Sequence, residues 1–149
     1  MRGLIQRVTQ ASVTVNHQCI GEISTGALLL LGVEADDNEQ NAAKMVNKVL
    51  RLRMFNDQQH KMNLNLEQIA GQILVISQFT LVADTHKGNR PGFSKGATPE
   101  HGLAMYQRFI ELLTAQTRLP QDHIATGQFG ADMQVALIND GPVTFSLQT

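Results

Sequence analysis

Four consecutive residues, Ser77, Gln78, Phe79 and Thr80, follow directly on the apolar run of residues 73–76. Side chains alternate faces along a strand, so Gln78 and Thr80 are predicted to share one side of it. Small hydroxyls and an amide then line the end of a core strand, where they can hydrogen-bond a substrate. A strand that simply emerges into solvent is the more common explanation of such a pattern.

A Gly-Pro step at Gly141 and Pro142 lies between two apolar runs near the end of the chain. An X-Pro bond is the only peptide bond that adopts the cis form at modest cost. A cis step in a tight turn can aim successive carbonyl oxygens outward together, so main-chain oxygens are candidates for the functional groups of a site. Only about 5% of X-Pro bonds in folded proteins are cis, so an ordinary trans turn stays the alternative.

Conventional catalytic side chains are scarce around these two segments. Five histidines are scattered along the chain, without a spacing that makes two metal ligands on one helix face or turn: His17, His60, His86, His101 and His123. The sequence has no Gly-x-Ser-x-Gly elbow, phosphate-binding glycine loop or acidic pair at an apolar strand end. His86 is the nearest candidate base to Thr80, but its basic loop favours a surface role. We therefore expect no metal and no cofactor, and a mechanism carried by the backbone and the substrate.

Strands and helices must hold these segments in place. Alternation over residues 12–23 around an Asn-His turn predicts a hairpin, and four leucines within residues 27–33 favour a strand buried on both faces. Asp36 or Asp37 is predicted to cap a first helix. The apolar stripe of this helix is Met45, Val46, Val49 and Leu50.

The second half of the chain predicts a long strand at residues 73–82 and a glycine-punctuated loop at residues 83–97. Loops of that length in a compact domain are usually functional or mobile. A Thr-Pro pair at residues 98–99 opens a second helix. Its apolar residues are Leu103, Tyr106, Phe109, Ile110 and Leu113. Two last strands, at residues 133–138 and 143–147, flank the Gly-Pro turn, and the whole pattern predicts an α+β fold with a mostly antiparallel sheet and two main helices.

The composition fits one domain that spans residues 1–149. Hydrophobic residues make up 42% and charged residues 17% of the chain, close to globular averages, and no apolar run is long enough to cross a bilayer. The first residues lack the long apolar region of a signal peptide, so a cytoplasmic protein is expected. A single cysteine, Cys19, cannot form an internal disulfide and is expected to be a buried small hydrophobe.

Positive charge is concentrated in one loop although the whole chain is nearly neutral. The formal net charge is −1, whereas residues 86–96 carry Lys87, Arg90 and Lys95 and no acidic residue. This loop therefore holds +3 and the remainder −4, since −1 minus 3 is −4. The overall charge argues against a protein that grips a long nucleic acid, while the local patch suits a few phosphates.

Taken in order, these segments resemble the D-aminoacyl-tRNA deacylase family, and the resemblance covers nearly the whole chain. It rests on Leu-Ile-Gln-Arg-Val at residues 4–8, Ser-Gln-Phe-Thr at residues 77–80, Arg-Pro-Gly-Phe-Ser-Lys-Gly-Ala at residues 90–97 and Gly-Pro at residues 141–142. Two glycines depart from the pattern. Gly92 stands where a serine follows Arg-Pro, and Gly130 where an alanine precedes Ala-Asp-Met, so both loosen the backbone near the substrate pocket.

The resemblance implies a barrel-like α+β homodimer in which the Gly-Pro turn of one subunit enters the active site of the other. The implied catalytic positions are Ser77, Gln78, Phe79 and Thr80. We expect the backbone N–H groups of Phe79 and Thr80 to donate to the developing oxyanion. The implied substrate-binding residues are Gly141, Pro142, Arg7, Phe93 and Met133, and the implied tRNA-binding residues are Lys87, Arg90 and Lys95.

Several of these roles have a structural alternative. Phe93 either stacks on the terminal adenine of the tRNA or anchors its loop to the core. Arg7 either braces the Gly-Pro turn or binds phosphate, although a strand arginine that faces solvent is more common. The resemblance also implies a nucleophilic Thr80, yet a threonine hydroxyl without a neighbouring base is a poor nucleophile, so positioning is favoured over covalent catalysis.

The implied activity is hydrolysis of the ester bond of D-aminoacyl-tRNA, which releases the free D-amino acid and spares L-aminoacyl-tRNA. Mischarged glycyl-tRNA is an implied second substrate, because peptide oxygens aimed at the α-carbon exclude an L side chain but admit a D side chain or none. A small-molecule esterase or amidase on the same scaffold is one alternative, and a non-catalytic RNA-binding module is the other. Free D-aminoacyl esters hydrolysed as fast as charged tRNA would favour the first, and binding without release the second.

Overall fold

The computed structural model describes residues 1–86 and 89–149, so Lys87, one of the predicted tRNA-binding residues, lies outside it. The strands are β1 Arg2–Val15, β2 Gln18–Ile23, β3 Gly26–Gly32, β4 Phe55–Asn56, β5 Met62–Leu64, β6 Gln72–Ser77, β7 Ile124–Thr126 and β8 Gln134–Gln148. The helices are α1 Glu39–Arg51, α2 Pro99–Gln116 and the 3-10 helices Phe79–Val82 and Gln121–His123. Within the described ranges, no helix is both long and apolar enough to cross a membrane.

Strand β1 is the centre of a six-stranded sheet because three other strands pair with it. It is antiparallel to β2, β3 and β8, and the sheet continues from β3 through parallel pairings with β6 and then β7. The predicted α+β class is confirmed, with a nearly closed, barrel-like sheet and two helices. The two parallel pairings were not predicted. The first follows from the crossover between β3 and β6, which passes through α1 and the short β4–β5 pair.

Apolar residues cover both faces of this sheet. The larger cluster packs the helices on one face, and a smaller one lies between β1, β2, β3 and β6 on the other. Strand β3 is buried on both faces as predicted, because Leu29 and Leu31 enter the larger cluster and Leu28 the smaller one. The predicted stripe of α1 is buried as well. Leu103, predicted among the apolar residues of α2, is instead 38% exposed.

The first helix is capped by Asn38, so the prediction of Asp36 or Asp37 as its cap is wrong. Asn38 Oδ1 accepts a hydrogen bond from the Asn41 N–H, and Asn41 Oδ1 accepts one from the Asn38 N–H, which completes a capping box. Asp37 is not available as a cap because its carboxylate is buried. There it accepts from the Glu34 N–H and pairs with the N-terminal ammonium.

The predicted hairpin between β1 and β2 is confirmed. Asn16 and His17 connect the two strands with positive φ angles of 49° and 65°, which suit a tight two-residue turn. Cys19 is exposed, however, so the prediction of a buried cysteine is wrong. Because β2 is an edge strand of the sheet, most of its residues, Cys19 among them, face solvent.

Candidate active site

The strand predicted over residues 73–82 is shorter in the structure, and its end forms the candidate site. β6 stops at Ser77, and a 3-10 helix follows. The Gln78 N–H still donates to Leu31 O of β3 at 2.8 Å, but the Leu81 N–H then donates to Gln78 O at 3.2 Å and turns the chain. The predicted alternation of side chains therefore fails beyond Ser77. Gln78 and Thr80 lie in a tight turn and not on one face of a strand.

Phe79 and Thr80 occupy the first turn of this 3-10 helix. A helix supplies no acceptor to the N–H groups of its first turn, and Gln78 before it provides no side-chain cap. These two N–H groups are therefore available to a ligand, and their donation to an oxyanion stays a prediction. The Thr80 hydroxyl accepts a hydrogen bond from Gln78 Nε2 at 2.5 Å. An amide nitrogen cannot take a proton from that hydroxyl, so Gln78 is no general base.

A cavity of about 510 Å³ opens beside this turn. Its walls come from the ends of β3 and β6, from the start of α2 and from the segment before β8. Of the predicted site residues, those that line it are Ser77, Gln78, Phe79 and Met133. The cavity thus brings Ser77, Gln78 and Phe79 together with Met133. Met133 lies 53 residues (133 minus 80) beyond Thr80, the last residue of the Ser-Gln-Phe-Thr segment.

Sequence reasoning missed the side of the cavity that α2 forms. The residues concerned are Thr98, Pro99, Gly102 and Tyr106. Their spacing places them on one face of the helix, and this was the available signal. An added Cβ at Gly102 would lie 3.2 Å from Phe129 Cζ, so the glycine leaves room for that ring beside the cavity.

Tyr106 is a neutral hydrogen-bond donor in this wall. Its hydroxyl donates to Val75 O at 2.9 Å, and its ring centroid lies 6.0 Å from that of Phe129. Burial raises the pKa of Tyr106 to about 12, so the phenol stays protonated at physiological pH. Tyr106 therefore fixes the wall against β6 and is no candidate base.

Phe93 lies beside the 3-10 helix, at the edge of the same site. Its ring centroid is 5.2 Å from that of Phe79, and the two rings are tilted by 45°. Phe93 is nevertheless 44% exposed. The Phe93 ring therefore contacts another exposed ring, since Phe79 is 67% exposed, and it keeps a surface that a base can stack on. Stacking on the terminal adenine and anchoring of the loop both stay open as interpretations.

The two described basic residues of the loop at residues 86–96 lie at the surface. Arg90 and Lys95 are exposed, and Lys95 Nζ lies 3.9 Å from Asp84 Oδ2. Asp84 accepts a hydrogen bond from the His86 N–H, which lowers the pKa of Asp84 and keeps it ionised. It offsets part of the positive charge predicted for the loop. Across residues 1–86 and 89–149, no three His, Cys, Asp or Glu side chains are grouped so that they could hold a metal ion.

The Gly-Pro step lies inside one strand, so the prediction of a hairpin there is wrong. β8 is antiparallel to β1 on both sides of the step: Ser146 pairs with Leu4, and Ala136 pairs with Ser12. A hairpin would reverse the chain, and its second arm would run parallel to β1. Strand β1 is 14 residues long, which is enough to hold both arms of β8 in line.

The step forms a bulge in β8. Asn139 of β8 pairs with Val8 of β1, and Thr144 pairs with Gln6. Only Arg7 lies between the two positions on β1, whereas residues 140–143 lie between them on β8, so these four residues loop out of the ladder. Asn139 closes the bulge. Its Oδ1 accepts from the Val143 N–H, and its Nδ2 donates to Thr144 Oγ1, both at 2.9 Å.

Arg7 braces this bulge from beneath, so the solvent-facing alternative is wrong. Its side chain is buried: Nε donates to Asp140 O at 3.1 Å, and Nη1 donates to Met54 O at 2.9 Å. Nε also lies 3.0 Å from Asp140 Oδ2. Gly141 and Pro142 are exposed, and the peptide bond between them is cis. Neither residue lines the cavity of its own chain.

Comparison with known proteins defines the class. Residues 4–148 match the D-Tyr-tRNA(Tyr) deacylase family. The chain is 61% identical over 145 residues to the D-aminoacyl-tRNA deacylase of Alteromonas mediterranea, with 97% of each chain covered, and 57% identical over 149 residues to that of Pectobacterium atrosepticum, with 100% of each covered. The solved structure of c-Myc DNA unwinding element binding protein has a TM-score of 0.95 at 39% identity, over 100% of this chain and 99% of that one. A probable eukaryotic D-amino acid tRNA deacylase shares the fold at a TM-score of 0.83 and 17% identity, over 99% of this chain and 98% of that one.

The family match and the curated relatives define the class as hydrolases that act on the ester bonds of aminoacyl-tRNA. The chain belongs to the D-Tyr-tRNA(Tyr) deacylase family. The family predicted from the Ser-Gln-Phe-Thr and Gly-Pro segments is thereby confirmed, whereas the roles of the individual residues stay predictions.

Proposed function

We propose that this protein hydrolyses the ester bond of D-aminoacyl-tRNA to a free D-amino acid and tRNA, spares L-aminoacyl-tRNA, and accepts mischarged glycyl-tRNA as a second substrate. One observation carries the proposal: the available N–H groups of Phe79 and Thr80 belong to the 3-10 turn whose residues Gln78 and Phe79 line the 510 Å³ cavity. The full-length similarity to curated deacylases supports the same chemistry.

The proposed mechanism uses backbone donors and a group of the substrate. Water adds to the ester carbonyl, the N–H groups of Phe79 and Thr80 bind the oxyanion, and the carbon–oxygen bond breaks with the proton passing to the ribose oxygen. The ribose hydroxyl next to the ester can orient the water. One oxyanion donor typically contributes roughly 2.7–4 kcal/mol to catalysis, so two donors supply much of the acceleration that an ester needs.

Handedness is proposed to be sensed by the carbonyl oxygens of Gly141 and Pro142. Both residues are exposed on the bulge, and Arg7 and Asn139 hold that bulge in place. Oxygens aimed at the α-ammonium and α-carbon of the substrate collide with an L side chain but not with a D side chain or hydrogen. Discrimination then needs no reactive side chain.

The proposed assembly is a homodimer in which the bulge of one subunit completes the cavity of the other. The exposure of Gly141 and Pro142 and their absence from the lining of their own cavity support this arrangement. A twofold axis then gives two equivalent sites. Since the substrate is charged tRNA, the proposed location is the cytoplasm.

The terminal adenosine of the tRNA is proposed to enter the cavity, with its base against Phe93 or the apolar wall near Met133. Aromatic rings bind unpaired bases by stacking. The acceptor-stem phosphates are proposed to meet Arg90 and Lys95, and this part of the binding weakens as salt rises. Lys87 is proposed to contact these phosphates as well, on the basis of the sequence alone.

The direct test offers D-tyrosyl-tRNA and L-tyrosyl-tRNA side by side, with and without a metal chelator. We expect release of D-tyrosine at least about 100-fold faster than of L-tyrosine, which corresponds to about 2.7 kcal/mol of steric discrimination. The chelator is expected to change neither rate. Equal rates on both substrates would contradict chiral discrimination. Hydrolysis of D-tyrosine ethyl ester as fast as of the charged tRNA would favour a small-molecule esterase.

Replacement of Thr80 by alanine is expected to lower kcat less than about tenfold, because the hydroxyl has no base beside it while the backbone N–H remains. Single-turnover release of D-tyrosine measures the effect. Thr80→Ser keeps the hydroxyl and serves as the control. A loss of several orders of magnitude in Thr80→Ala that Thr80→Ser restores would make the hydroxyl the nucleophile.

A further inference from the structure

The exposed face of α1 is basic from Lys44 to the end of the helix at Arg51. Lys44, Asn47, Lys48 and Arg51 recur at intervals of three, one and three residues and are all exposed, so they form one stripe on the helix. Arg53 lies two residues beyond the end of the helix and is exposed as well. We refer to Lys44, Asn47, Lys48, Arg51 and Arg53 as the α1 basic face.

This face holds more unbalanced charge than the loop singled out in the sequence. From Gln40 to Asn56 the chain carries four basic residues and no acidic one, so the segment holds +4 and the remainder −5, since −1 minus 4 is −5. Among the described residues, none of these four cations forms a salt bridge. Lys48 Nζ donates to Gln148 O at 2.6 Å.

The acidic residues at either end of the face have other partners. Glu39 pairs with Arg108 of α2. Asp57 accepts hydrogen bonds from the N–H groups of Lys61 and Gln59, and the first of these, with others, lowers its pKa. The positive charge of the face is therefore available to an external anion.

The opposite face of α1 argues against an anionic lipid surface as the partner. Ala42, Met45, Val46 and Val49 are buried in the larger core cluster, so the helix cannot turn its apolar side into a lipid layer. Lysine and arginine in a row, with an asparagine among them, suit the phosphates of a nucleic acid backbone. From Lys44 to Arg51 the stripe is about 10 Å long, and one nucleic acid strand carries a phosphate about every 3.4 Å, so it faces about three phosphates.

The α1 basic face ends next to the bulge. Arg53 precedes Met54, whose carbonyl oxygen accepts from Arg7 Nη1 at 2.9 Å, and Arg7 Nε donates to Asp140 O at 3.1 Å. A short chain of contacts therefore connects the end of the stripe to Gly141. The end of the stripe and the exposed Gly-Pro bulge are therefore neighbours in the fold.

We propose that the α1 basic face binds the sugar-phosphate backbone of the tRNA whose charged end meets the bulge. This inference rests on the proposed function. Because the bulge is proposed to serve the partner's cavity, each α1 holds the tRNA that is bound at the partner's site. In this arrangement one subunit supplies the cavity together with Arg90 and Lys95, and its partner supplies the bulge and the α1 basic face. Both subunits therefore contact the same tRNA.

The test compares two variants that each lose two positive charges. K44Q/R51Q removes charge from the face without removing a hydrogen bond of the fold, and K61Q/R118Q is the matched control at exposed residues outside the face. KM and kcat are measured on D-tyrosyl-tRNA over a range of salt, and on the D-tyrosyl ester of adenosine, which lacks the acceptor stem. For K44Q/R51Q we expect KM for the charged tRNA to rise about tenfold at low salt and the slope of log(kcat/KM) against log[salt] to fall by about 1.5.

The same variant is expected to keep kcat on the charged tRNA and both constants on the adenosine ester, and the control to match the wild type throughout. An unchanged KM and salt slope in K44Q/R51Q, with release of D-tyrosine by the wild type, would overturn this inference and leave the proposed function standing. If the wild type releases no D-tyrosine, the proposed function fails. The affinity of the wild type and of both variants for uncharged tRNA, measured by fluorescence anisotropy, then still tests the α1 basic face. Equal affinity of both variants for that tRNA, or tighter wild-type binding to phosphatidylserine vesicles than to tRNA, would overturn the inference.

Discussion

Gly102→Leu is expected to lower kcat/KM for D-tyrosyl-tRNA by at least about 1,000-fold. Gly102 lies on the face of α2 that lines the cavity, where even a Cβ would contact Phe129 at 3.2 Å. Because Gly102 is buried and lines the cavity, a leucine side chain at this position is expected to occupy part of the cavity. Exclusion of the terminal nucleotide removes binding energy that positions the ester, and misplacement of about 1 Å alone costs about 100-fold.

Gly102→Ala is the matched control for this substitution. Its Cβ requires a shift of a few tenths of an ångström by the Phe129 ring, so activity within about tenfold of the wild type is expected. Circular dichroism and thermal unfolding establish that both variants fold. A folded Gly102→Leu protein with wild-type kcat/KM would contradict the assignment of the cavity to the substrate.

Arg7→Ala is expected to lower the free energy of unfolding by about 2–4 kcal/mol and kcat/KM by about 100-fold. The substitution removes the Arg7 donor from Met54 O, which is buried, and from Asp140 O, which is partly buried. An unsatisfied buried polar group costs about 1–3 kcal/mol, and the lost hydrogen bond to Asp140 and the lost packing of Arg7 add to this. It also removes the support beneath Gly141. If the carbonyl oxygens of the bulge contact the substrate, their displacement reduces the rate even where the protein is fully folded.

Arg7→Lys separates charge from geometry at this position. A lysine keeps the positive charge opposite Asp140 but cannot donate in the two fixed directions of the guanidinium, so partial recovery is expected. Urea unfolding gives the stability, and rates are compared under conditions in which each variant is folded. Loss of stability without any loss of rate in Arg7→Ala would restrict Arg7 and the bulge to a role in folding.

Local sequence patterns predicted the elements whose cause is local. The Asn16-His17 turn and the Thr98 cap of α2 depend on neighbours within a few residues, and the structure agrees with both. The end of β6 was not predictable in this way. It depends on the last hydrogen bond between Gln78 and Leu31, which are 47 residues apart (78 minus 31) in the sequence.

Of the candidate site, too, only the part with a local sequence signal was predicted. Ser77 and Phe79 were found because polarity changes abruptly at a strand end. Tyr106 was assigned only to the core, since a helical apolar position looks the same whether it faces a filled core or a cavity. The bulge was mistaken for a hairpin because the common partner of both arms, β1, lies at the other end of the chain.

Mixed dimers test most directly whether one subunit completes the site of the other. Arg7→Ala damages the bulge of its own chain, and Gly102→Leu blocks the cavity of its own chain. When the two variants are refolded together in equal amounts, half of the dimers are mixed, and each mixed dimer has one site with an intact cavity and an intact bulge. The account predicts recovery of about a quarter of the wild-type rate of D-tyrosyl-tRNA hydrolysis. A mixture, verified to contain mixed dimers, that is no more active than its two components would contradict it.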